Sequence, residues 1–296
     1  VPFAAMGDSM KLALIGFGYV AKATARRMAG RAELFATTRT KDRVAQISEA
    51  GVEPVLADPA TPEGAEGLNT LIAGSTHVIV SVPPGEAGDP VLAALRPETL
   101  KGQWVGYLST TGVYGDRQGG WAFEWDDPAP GQRRSVLRRK AEQGWQAHGA
   151  TLFRLAGIYG PGQSPFDRVR RGEAARILKP GHVFSRIHVD DIALALDLAM
   201  ARDVRGEVFN LADDRPEENS VVTEAAAEML GLPPPPAMPF DDAQMSPMMA
   251  SFYAECRRVS NARAKAVLGW RPAFPTWREG LAAILQAEKA STAPAP

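Results

Sequence analysis

Three observations on this 296-residue sequence predict an α/β fold, a Rossmann-type doubly wound parallel sheet with a small C-terminal substrate lobe. The apolar run Lys11–Ile15 ends at a glycine turn that precedes a helical pattern, which is typical of a buried parallel strand. Further short apolar runs alternate with helical patterns, which indicates right-handed βαβ units. Hydrophobic residues make up 45% of the chain, enough for a full core.

The glycine turn reads Gly16-Phe17-Gly18-Tyr19-Val20-Ala21, a G-x-G-x-x-A pattern. In a dinucleotide fold the first glycine permits the tight turn, and the second lets the backbone approach a pyrophosphate. The small alanine permits close packing of helix on strand. Backbone N–H groups at the positive end of the helix would then bind the phosphates. We therefore expect Gly16 through Val20 to bind a dinucleotide.

The second predicted strand, Glu33–Thr40, indicates which dinucleotide is bound. In NAD-specific folds an acidic residue at the end of this strand binds the ribose 2′-hydroxyl. Thr37, Thr38 and Arg39 stand there instead. A guanidinium pairs with a 2′-phosphate that a carboxylate would repel, so we favour NADP over NAD as the cofactor. The alternative is that Arg39 is a solvated surface residue.

Two further strands are predicted to end beside the cofactor. Val52–Asp58 ends in Asp58, which either contacts the adenine or caps the next helix. His77–Val82 is followed by Pro83-Pro84-Gly85, so we expect Val82 and Pro83 at the ligand edge.

The rest of the chain continues the same alternation. Strands are predicted over 103–111, 152–156 and 206–211. Helices are predicted over 44–50 with Asp42 as cap, 133–147, 166–178, 192–200 with an aspartate as N-cap, 221–230 and 277–289. We read 239–253 as a methionine-filled helix pair in preference to a mobile flap. We predict a mainly dinucleotide-binding domain over 11–165, a mixed region over 166–290 with later sheet strands and the small lobe, and flexible tails over 1–10 and 291–296.

Charge and cysteine content narrow the functional classes. Lys plus Arg is 33 and Asp plus Glu is 34, a balance that gives no reason to expect nucleic-acid or anionic-membrane binding. The one cysteine, Cys256, cannot form an internal disulfide, and no residue spacing suggests a metal site. No apolar run approaches the ~20 residues of a membrane span, and the first ten residues lack a signal-peptide pattern. We expect a soluble cytoplasmic protein.

Six fragments in order resemble the extended short-chain dehydrogenase/reductase family, also described as the NAD-dependent epimerase/dehydratase family. The fragments are Gly16–Ala21, Leu108–Gly115, Arg154–Gly162, Arg186–Ile192, Phe209–Leu211 and Leu268–Pro272. In the family's order and spacing, the match runs over nearly the whole chain. The glycine turn departs from the family's usual G-x-x-G-x-x-G, so the chain resembles an atypical branch.

The resemblance implies a catalytic Ser or Thr, a Tyr and a Lys. In the family the tyrosine exchanges a proton with a substrate hydroxyl while hydride moves to or from the nicotinamide. By resemblance Thr110 is the Ser/Thr that hydrogen-bonds the substrate oxygen. The implied partner is a small substrate with a hydroxyl or keto group, sugar- or nucleotide-derived among the candidates.

The family's Tyr-x-x-x-Lys pair is absent from the helix over 133–147. One register keeps Lys140 and places Val136 at the tyrosine. The other aligns Glu142 with the family's glutamate, so Arg134 replaces the tyrosine and Arg138 the lysine. We prefer the second, because these three residues share one helix face. An arginine is a poor general acid or base, since it stays protonated near neutral pH.

Three ways of replacing the missing phenol remain open. Tyr114 supplies a phenol from another backbone position, Glu124 or a following aspartate acts as base, or the site binds an anionic ligand without family-type chemistry. Arginines 133, 134, 138 and 139 suit an anionic group. We favour an NADP-dependent oxidoreductase or epimerase-like enzyme, with a non-catalytic NAD(P)-binding sensor as the alternative and a homodimer left open.

Overall fold

The computed structural model describes residues 9–292, except the side chains of residues 242, 248 and 292. Residues 1–8 and 293–296, most of the two tails predicted to be flexible, lie outside the described residues. The chain divides into two compact units. Unit 1 comprises the chain up to Thr110 with Val136–Arg154 and Ala193–Phe209; unit 2 comprises Thr111–Ser135, Leu155–Ile192 and the chain from Asn210 onward. Our domain boundary at 165 stays a prediction, because each unit takes in residues from both sides of it.

The strands and helices follow each other in βα alternation through the first half of the chain. The strands are β1 (Lys11–Ile15), β2 (Glu33–Thr38), β3 (Glu53–Leu56), β4 (His77–Val80), β5 (Trp104–Thr110), β6 (Trp121–Ala122), β7 (Thr151–Leu155), β8 (Gly157–Tyr159), β9 (Arg176–Leu178), β10 (Val183–Phe184), β11 (Arg186–His188), β12 (Val208–Leu211), β13 (Glu217–Glu218), β14 (Ala237–Pro239) and β15 (Arg258–Val259). The helices are α1 (Tyr19–Met28), α2 (Val44–Glu49), α3 (Pro62–Ala73), α4 (Pro90–Ala94), α5 (Arg133–Ala147), α6 (Pro165–Arg170), α7 (Val189–Ala201), α8 (Asn219–Met229), α9 (Pro247–Tyr253), α10 (Ala262–Leu268) and α11 (Trp277–Thr292). None of these helices, within residues 9–292, is long and apolar enough to cross a membrane.

A seven-stranded sheet in the order β12-β7-β5-β4-β1-β2-β3 confirms the predicted α/β class. Strands β3, β2, β1, β4 and β5 pair in parallel, with Leu12 of β1 opposite Leu34 on one side and His77 on the other. In chain order, β2 and β3 lie on one side of β1, and β4 follows on the other side. The crevice between the carboxyl ends of β1 and β4 is therefore where an open α/β sheet binds its ligand.

Apolar and aromatic side chains fill the core of unit 1. The Trp145 ring of α5 stacks on Tyr107 of β5 at a centroid distance of 5.7 Å. Its indole Nε1 donates to Asp89 Oδ2 at 2.9 Å, so the buried N–H has an acceptor. The other carboxylate oxygen of Asp89 caps α4 by accepting from Val91 N and Leu92 N. One aspartate thus joins α4 to α5.

Unit 2 has a core of its own, built between α6, α8 and α11. Phe166, Val222 and Trp277 are fully buried in it, together with Tyr159 and Leu281. Four two-stranded sheets complete the unit, pairing β10 with β13, β11 with β8, β14 with β9, and β15 with β6.

Two predicted helices are wrong in extent. The helix predicted over 166–178 ends at Arg170, because Gly172 adopts a φ of +67°, and residues 176–178 form strand β9, paired with β14. The predicted helix pair over 239–253 is one α-helix, α9, preceded by strand β14 and a 3₁₀ turn over Phe240–Asp242. Helix α11 continues to Thr292, past the predicted start of the tail at 291.

Three predicted helix caps are also corrected. Asp42 lies in a 3₁₀ turn over Lys41–Arg43 and does not cap α2. Thr61, not Asp58, caps α3, through its side chain and Gly64 N. Helix α7 begins at Val189, so the predicted aspartate N-cap instead lies in the first turn, where negative charge favours the helix dipole.

Gly64 in the first turn of α3 permits a close approach to the end of β3. A Cβ at Gly64 would overlap the backbone carbonyl oxygen and amide nitrogen of Asp58. We predict that Gly64→Ala lowers the free energy of unfolding by about 1–3 kcal/mol, because the backbone must shift to relieve the overlap. Urea denaturation of both proteins measures this change.

Gly67, one turn further along α3, is the matched control. A Cβ there would approach only Leu56 O, at 4.0 Å. Gly67→Ala should raise stability by about 0.5–1 kcal/mol through helix propensity. Equal effects of the two substitutions would contradict the assigned packing of α3 on Asp58.

Candidate functional site

The turn after β1 requires glycine at its first position. Gly16 adopts a φ of +89°, and a Cβ there would lie 2.9 Å from Ser81 Oγ and 3.2 Å from Val82 Cγ2. Gly16 N donates to Thr37 Oγ1 at 2.8 Å, and Ser81 Oγ donates to the Ile15 and Gly16 carbonyls at 3.1 and 3.2 Å. The ends of β1, β2 and β4 are therefore joined around this turn.

The second glycine of the turn opens onto empty space. Gly18 is the N-cap of α1, and a Cβ there would meet nothing within 4 Å. No side chain caps α1 and its first turn holds no acidic residue. Phe17 and Val20 are buried beneath the turn and Tyr19 is half-buried. This combination of an open glycine and an uncapped helix N-terminus fits a pyrophosphate.

The other cofactor residues predicted from sequence lie at the same carboxyl edge of the sheet. Val82 is half-buried against the glycine turn, and Pro83 beyond it is exposed. Thr38 Oγ1 donates to Thr40 O at 3.1 Å, which shapes the turn after β2. Asp58 is half-buried and its Oδ1 accepts from Ala60 N at 3.0 Å, so it shapes the loop before α3.

Two arginines follow β2. Arg39 is exposed, and within residues 9–292 its guanidinium makes no hydrogen bond or ion pair. Arg43 donates from Nη2 to Phe17 O at 2.8 Å, so this guanidinium lies on the glycine turn itself. Sequence reasoning missed Arg43, because its bond to the Phe17 carbonyl is a tertiary contact that residue spacing does not predict.

A buried carboxylate organises the far side of this edge in unit 1. Glu142 of α5 is fully buried and accepts from Ser109 Oγ at 2.7 Å. Arg154 of β7, also buried, donates to it from Nε and Nη2, both at 2.9 Å. Arg139 adds a bond of 3.0 Å. The arrangement connects α5, β5 and β7 immediately before Thr110, the last residue of β5.

Arg138 lies one helical turn before Glu142 on the same side of α5. Its Nη1 donates to Tyr107 Oη at 3.0 Å and to Leu108 O at 3.1 Å. Lys140, in contrast, is exposed. That Arg138 takes the lysine's position stays a prediction. Desolvation by burial raises the pKa of Tyr107 to about 12, which the nearby guanidinium of Arg138 opposes.

The remaining predicted catalytic residues, Tyr114 and Arg134, belong to unit 2. Tyr114 is fully buried and its hydroxyl donates to Asn210 Oδ1 at 2.8 Å. Asn210 N in turn donates to Glu124 Oε1 at 2.9 Å. Tyr114 would have to give up its buried hydrogen bond to Asn210 before its hydroxyl could donate a proton to a substrate. Arg134 is exposed, with its guanidinium 4.5 Å from the centre of the Phe252 ring.

This geometry is that of a Rossmann-type α/β fold, which comparisons with known proteins also show. No protein-family model matches the chain. A 3-diazoavenalumate denitrifying reductase from a Streptomyces species is 31% identical over 143 residues. The match covers 44% of this chain and 45% of the reductase, so the chain spans less than half of that relative's length.

Two solved structures match almost the whole chain. A conserved protein of unknown function from Silicibacter pomeroyi is 43% identical, with a TM-score of 0.86 over 95% of this chain and 99% of that one. The dTDP-glucose 4,6-dehydratase of Bacillus anthracis, solved with NAD, is 18% identical, with a TM-score of 0.78 over 96% and 98% of the two chains. The chain therefore has the fold of the extended short-chain dehydrogenase/reductase, or NAD-dependent epimerase/dehydratase, family, and the resemblance drawn from its motifs is confirmed.

The carboxyl group of Asp213 in unit 2 has a strongly raised pKa. Asp213, only 2% exposed, follows β12, and its Oδ1 accepts from Arg215 N at 3.1 Å. Its Oδ2 is buried and has no partner among the described residues. Desolvation by burial raises the pKa of Asp213 to about 7, against an ordinary value of 3.8.

This raised pKa gives a stability prediction. Between about pH 4 and pH 7 the folded chain keeps the Asp213 proton that the unfolded chain loses, so stability falls as pH rises through that window and is then level. We predict that Asp213→Asn, which keeps an acceptor for Arg215 N, raises the free energy of unfolding at pH 7.5 by a few kcal/mol relative to wild type and has little effect at pH 4.

Chemical denaturation of both proteins from pH 4 to pH 8 measures the difference. Arg215→Met, a change at a neighbouring exposed side chain, controls for local charge. Parallel pH profiles for wild type and Asp213→Asn would mean that this carboxyl group is ionised in the folded chain.

Proposed function

We propose that the chain is an NADP-dependent oxidoreductase or epimerase-like enzyme that acts on a small hydroxy or keto substrate carrying an anionic group. The observation that carries the proposal is the glycine turn of unit 1. Its second glycine faces open space at a helix N-terminus that no side chain caps, and the neighbouring strand is followed by Arg39 instead of an acid. Among residues 9–292 Arg39 has no hydrogen bond or ion pair. A phosphorylated dinucleotide meets complementary charge at both places.

The comparisons support a nicotinamide cofactor and a catalytic role. The Streptomyces relative is a reductase, and the Bacillus anthracis dehydratase was solved with NAD. Further structural neighbours were solved with NAD together with UDP-glucose or UDP-glucuronic acid. At 19 and 20% identity these two neighbours share the fold, and sugar nucleotides are one substrate class to test here.

The proposed chemistry assigns different tasks to Thr110 and Arg138. A bound nicotinamide supplies hydride exchange with the substrate carbon. The Thr110 hydroxyl holds the substrate oxygen at the carboxyl end of β5. Arg138, next to it through Leu108 O, provides a fixed positive charge that favours negative charge on a substrate oxygen. Because a guanidinium stays protonated, the proton itself comes from Tyr114, from a carboxylate such as Glu124, or from water.

A non-catalytic NAD(P)-binding sensor is the second candidate. The observation that favours it is the replacement of the family's tyrosine and lysine by Arg134 and Arg138. A protein of this kind would bind the cofactor tightly without turnover. A screen for NADPH oxidation and NADP reduction with pooled carbonyl and alcohol substrates separates the two candidates.

The cofactor preference is tested at Arg39. We predict that NADPH binds at least tenfold more tightly than NADH, and that Arg39→Ala removes most of this difference by weakening NADPH alone, since only NADPH carries the 2′-phosphate. Isothermal titration calorimetry measures both dissociation constants. Arg205→Ala, which removes a guanidinium bonded to Gln103 O just before β5, is the control. Equal affinities of the wild type for the two dinucleotides would refute the assignment.

The role of the Thr110 hydroxyl is tested by a matched pair of substitutions. We predict that Thr110→Val lowers kcat by about 10²–10³-fold, because it removes a hydrogen bond to the substrate oxygen. Thr110→Ser keeps the hydroxyl and should retain most of the activity. Steady-state kinetics with the substrate found in the screen measures both. Activity of the valine variant at the wild-type level would remove Thr110 from the mechanism.

A further inference from the structure

Arg186, the first residue of β11 in unit 2, has a guanidinium that no carboxylate of the described residues pairs with. Its Nη1 donates to Phe184 O at 2.9 Å and to Glu217 O at 3.0 Å. Its Nη2 donates to Asn219 Oδ1 at 3.1 Å. These three acceptors are neutral, so they hold the guanidinium in place without cancelling its charge.

The three bonds leave part of the guanidinium unused. An arginine carries five N–H donors. The bonds from Nη1 and Nη2 leave the Nε–H and one Nη2–H of Arg186 without an acceptor in the part of the chain that the structure describes. Nε and Nη2 form one edge of the guanidinium, the edge that binds both oxygens of a carboxylate or phosphate. Arg186 is half-buried as a residue, and its Nε is not among the fully buried side-chain atoms of the described residues that lack a hydrogen-bond partner.

The charge of Arg186 is only partly offset by its surroundings. Burial lowers the pKa of its guanidinium to about 10, which still leaves it protonated at neutral pH. The two acidic neighbours that oppose this shift are Asp213 and Glu217. The raised pKa of Asp213 keeps that carboxyl largely protonated below about pH 7, and the carboxylate of Glu217 accepts from Arg215 Nε at 3.2 Å. A desolvated cation of this kind attracts an anion more strongly than an exposed one.

We propose that Arg186 is an anion-binding residue of unit 2. It binds the carboxylate of a small organic acid through its Nε and Nη2 hydrogens. The proposal rests on the proposed function, whose anionic substrate group it assigns to one residue. Inorganic phosphate offers the same oxygen chemistry and serves as the comparison ligand. Phe184, whose ring lies 5.8 Å from the guanidinium, and Tyr253, which contacts Phe184 edge-on at 5.2 Å, provide aromatic surface for the apolar body of such an acid.

Three arginines of helix α5 are weaker candidates for this role. Arg134 is exposed and lies over the Phe252 ring, where water and salt screen its charge. Arg138 and Arg139 already bond Leu108 O and Glu142, respectively. Arg186 is half-buried and has two N–H groups without an acceptor among the described residues.

Calorimetric titration of the full chain without cofactor tests the proposal. The probes are benzoate, inorganic phosphate and benzyl alcohol, the last as a neutral ligand of similar shape. Benzoate should bind to the wild type. Arg186→Lys, which keeps the charge and loses the fork, should weaken benzoate at least tenfold, and Arg186→Met should abolish binding. Arg171→Met, at an exposed arginine of unit 2 that pairs with Glu173, should leave the benzoate affinity unchanged.

Each outcome has a defined meaning. Benzoate bound more tightly than phosphate supports the carboxylate assignment, whereas phosphate alone binding, benzoate binding retained in Arg186→Met, or no binding of either anion overturns it. Circular dichroism and thermal unfolding establish that each variant is folded; if Arg186→Met does not fold, Arg186→Lys decides. NADPH titrations of the same variants separate this proposal from the proposed function. The Arg186 variants should bind NADPH as the wild type does, whether or not Arg186 binds an anion.

Discussion

The buried ion pair between Glu142 and Arg154 is the interaction on which the carboxyl end of β5 in unit 1 depends. Both charges are removed from water, and each would be costly alone; breaking such a pair typically costs about 3–5 kcal/mol. The cost is offset here because Glu142 receives four hydrogen bonds, two from Arg154, one from Ser109 and one from Arg139. Three elements, β5, α5 and β7, are thereby fixed together, and Thr110 follows Ser109 directly.

The glycine turn after β1 is likewise held in place by hydrogen bonds from several elements, at the carboxyl end of β1. Its backbone is bonded from three directions, by Thr37 from β2, Ser81 after β4, and Arg43 in the 3₁₀ turn that follows β2. A turn bonded in this way presents its N–H groups in a fixed arrangement, so binding of a phosphate would cost little reorganisation. The residues that hold the glycine turn in place are thus distinct from those predicted to bind the cofactor.

The sequence predicted the features whose cause is local and missed those whose cause is distant. The glycine turn, β1, β5 and α5 follow from patterns within about fifteen residues, and the structure confirms them. Strand β9 could not be predicted in this way, because its partner β14 lies some sixty residues further along the chain. The bond from Arg43 to Phe17 and the pairing of Glu142 with Arg154 likewise depend on tertiary contacts, for which residue spacing gives only the helix face.

Tyr107, whose phenol lies beside Arg138, does not replace the tyrosine of the Tyr-x-x-x-Lys pair that the sequence lacks. Tyr107 is fully buried, stacks on Trp145 and accepts a hydrogen bond from Arg138. Its pKa of about 12 keeps it protonated at neutral pH even beside a guanidinium, so it is a structural partner of Arg138 and a poor base. A lysine at this position would be a compact charge able to titrate, whereas Arg138 spreads a permanent charge over two fixed acceptors. Arg138 therefore holds a permanent positive charge at this place in α5, and Tyr107 beside it supplies no base, so the electrostatics here favour holding an anion over moving a proton.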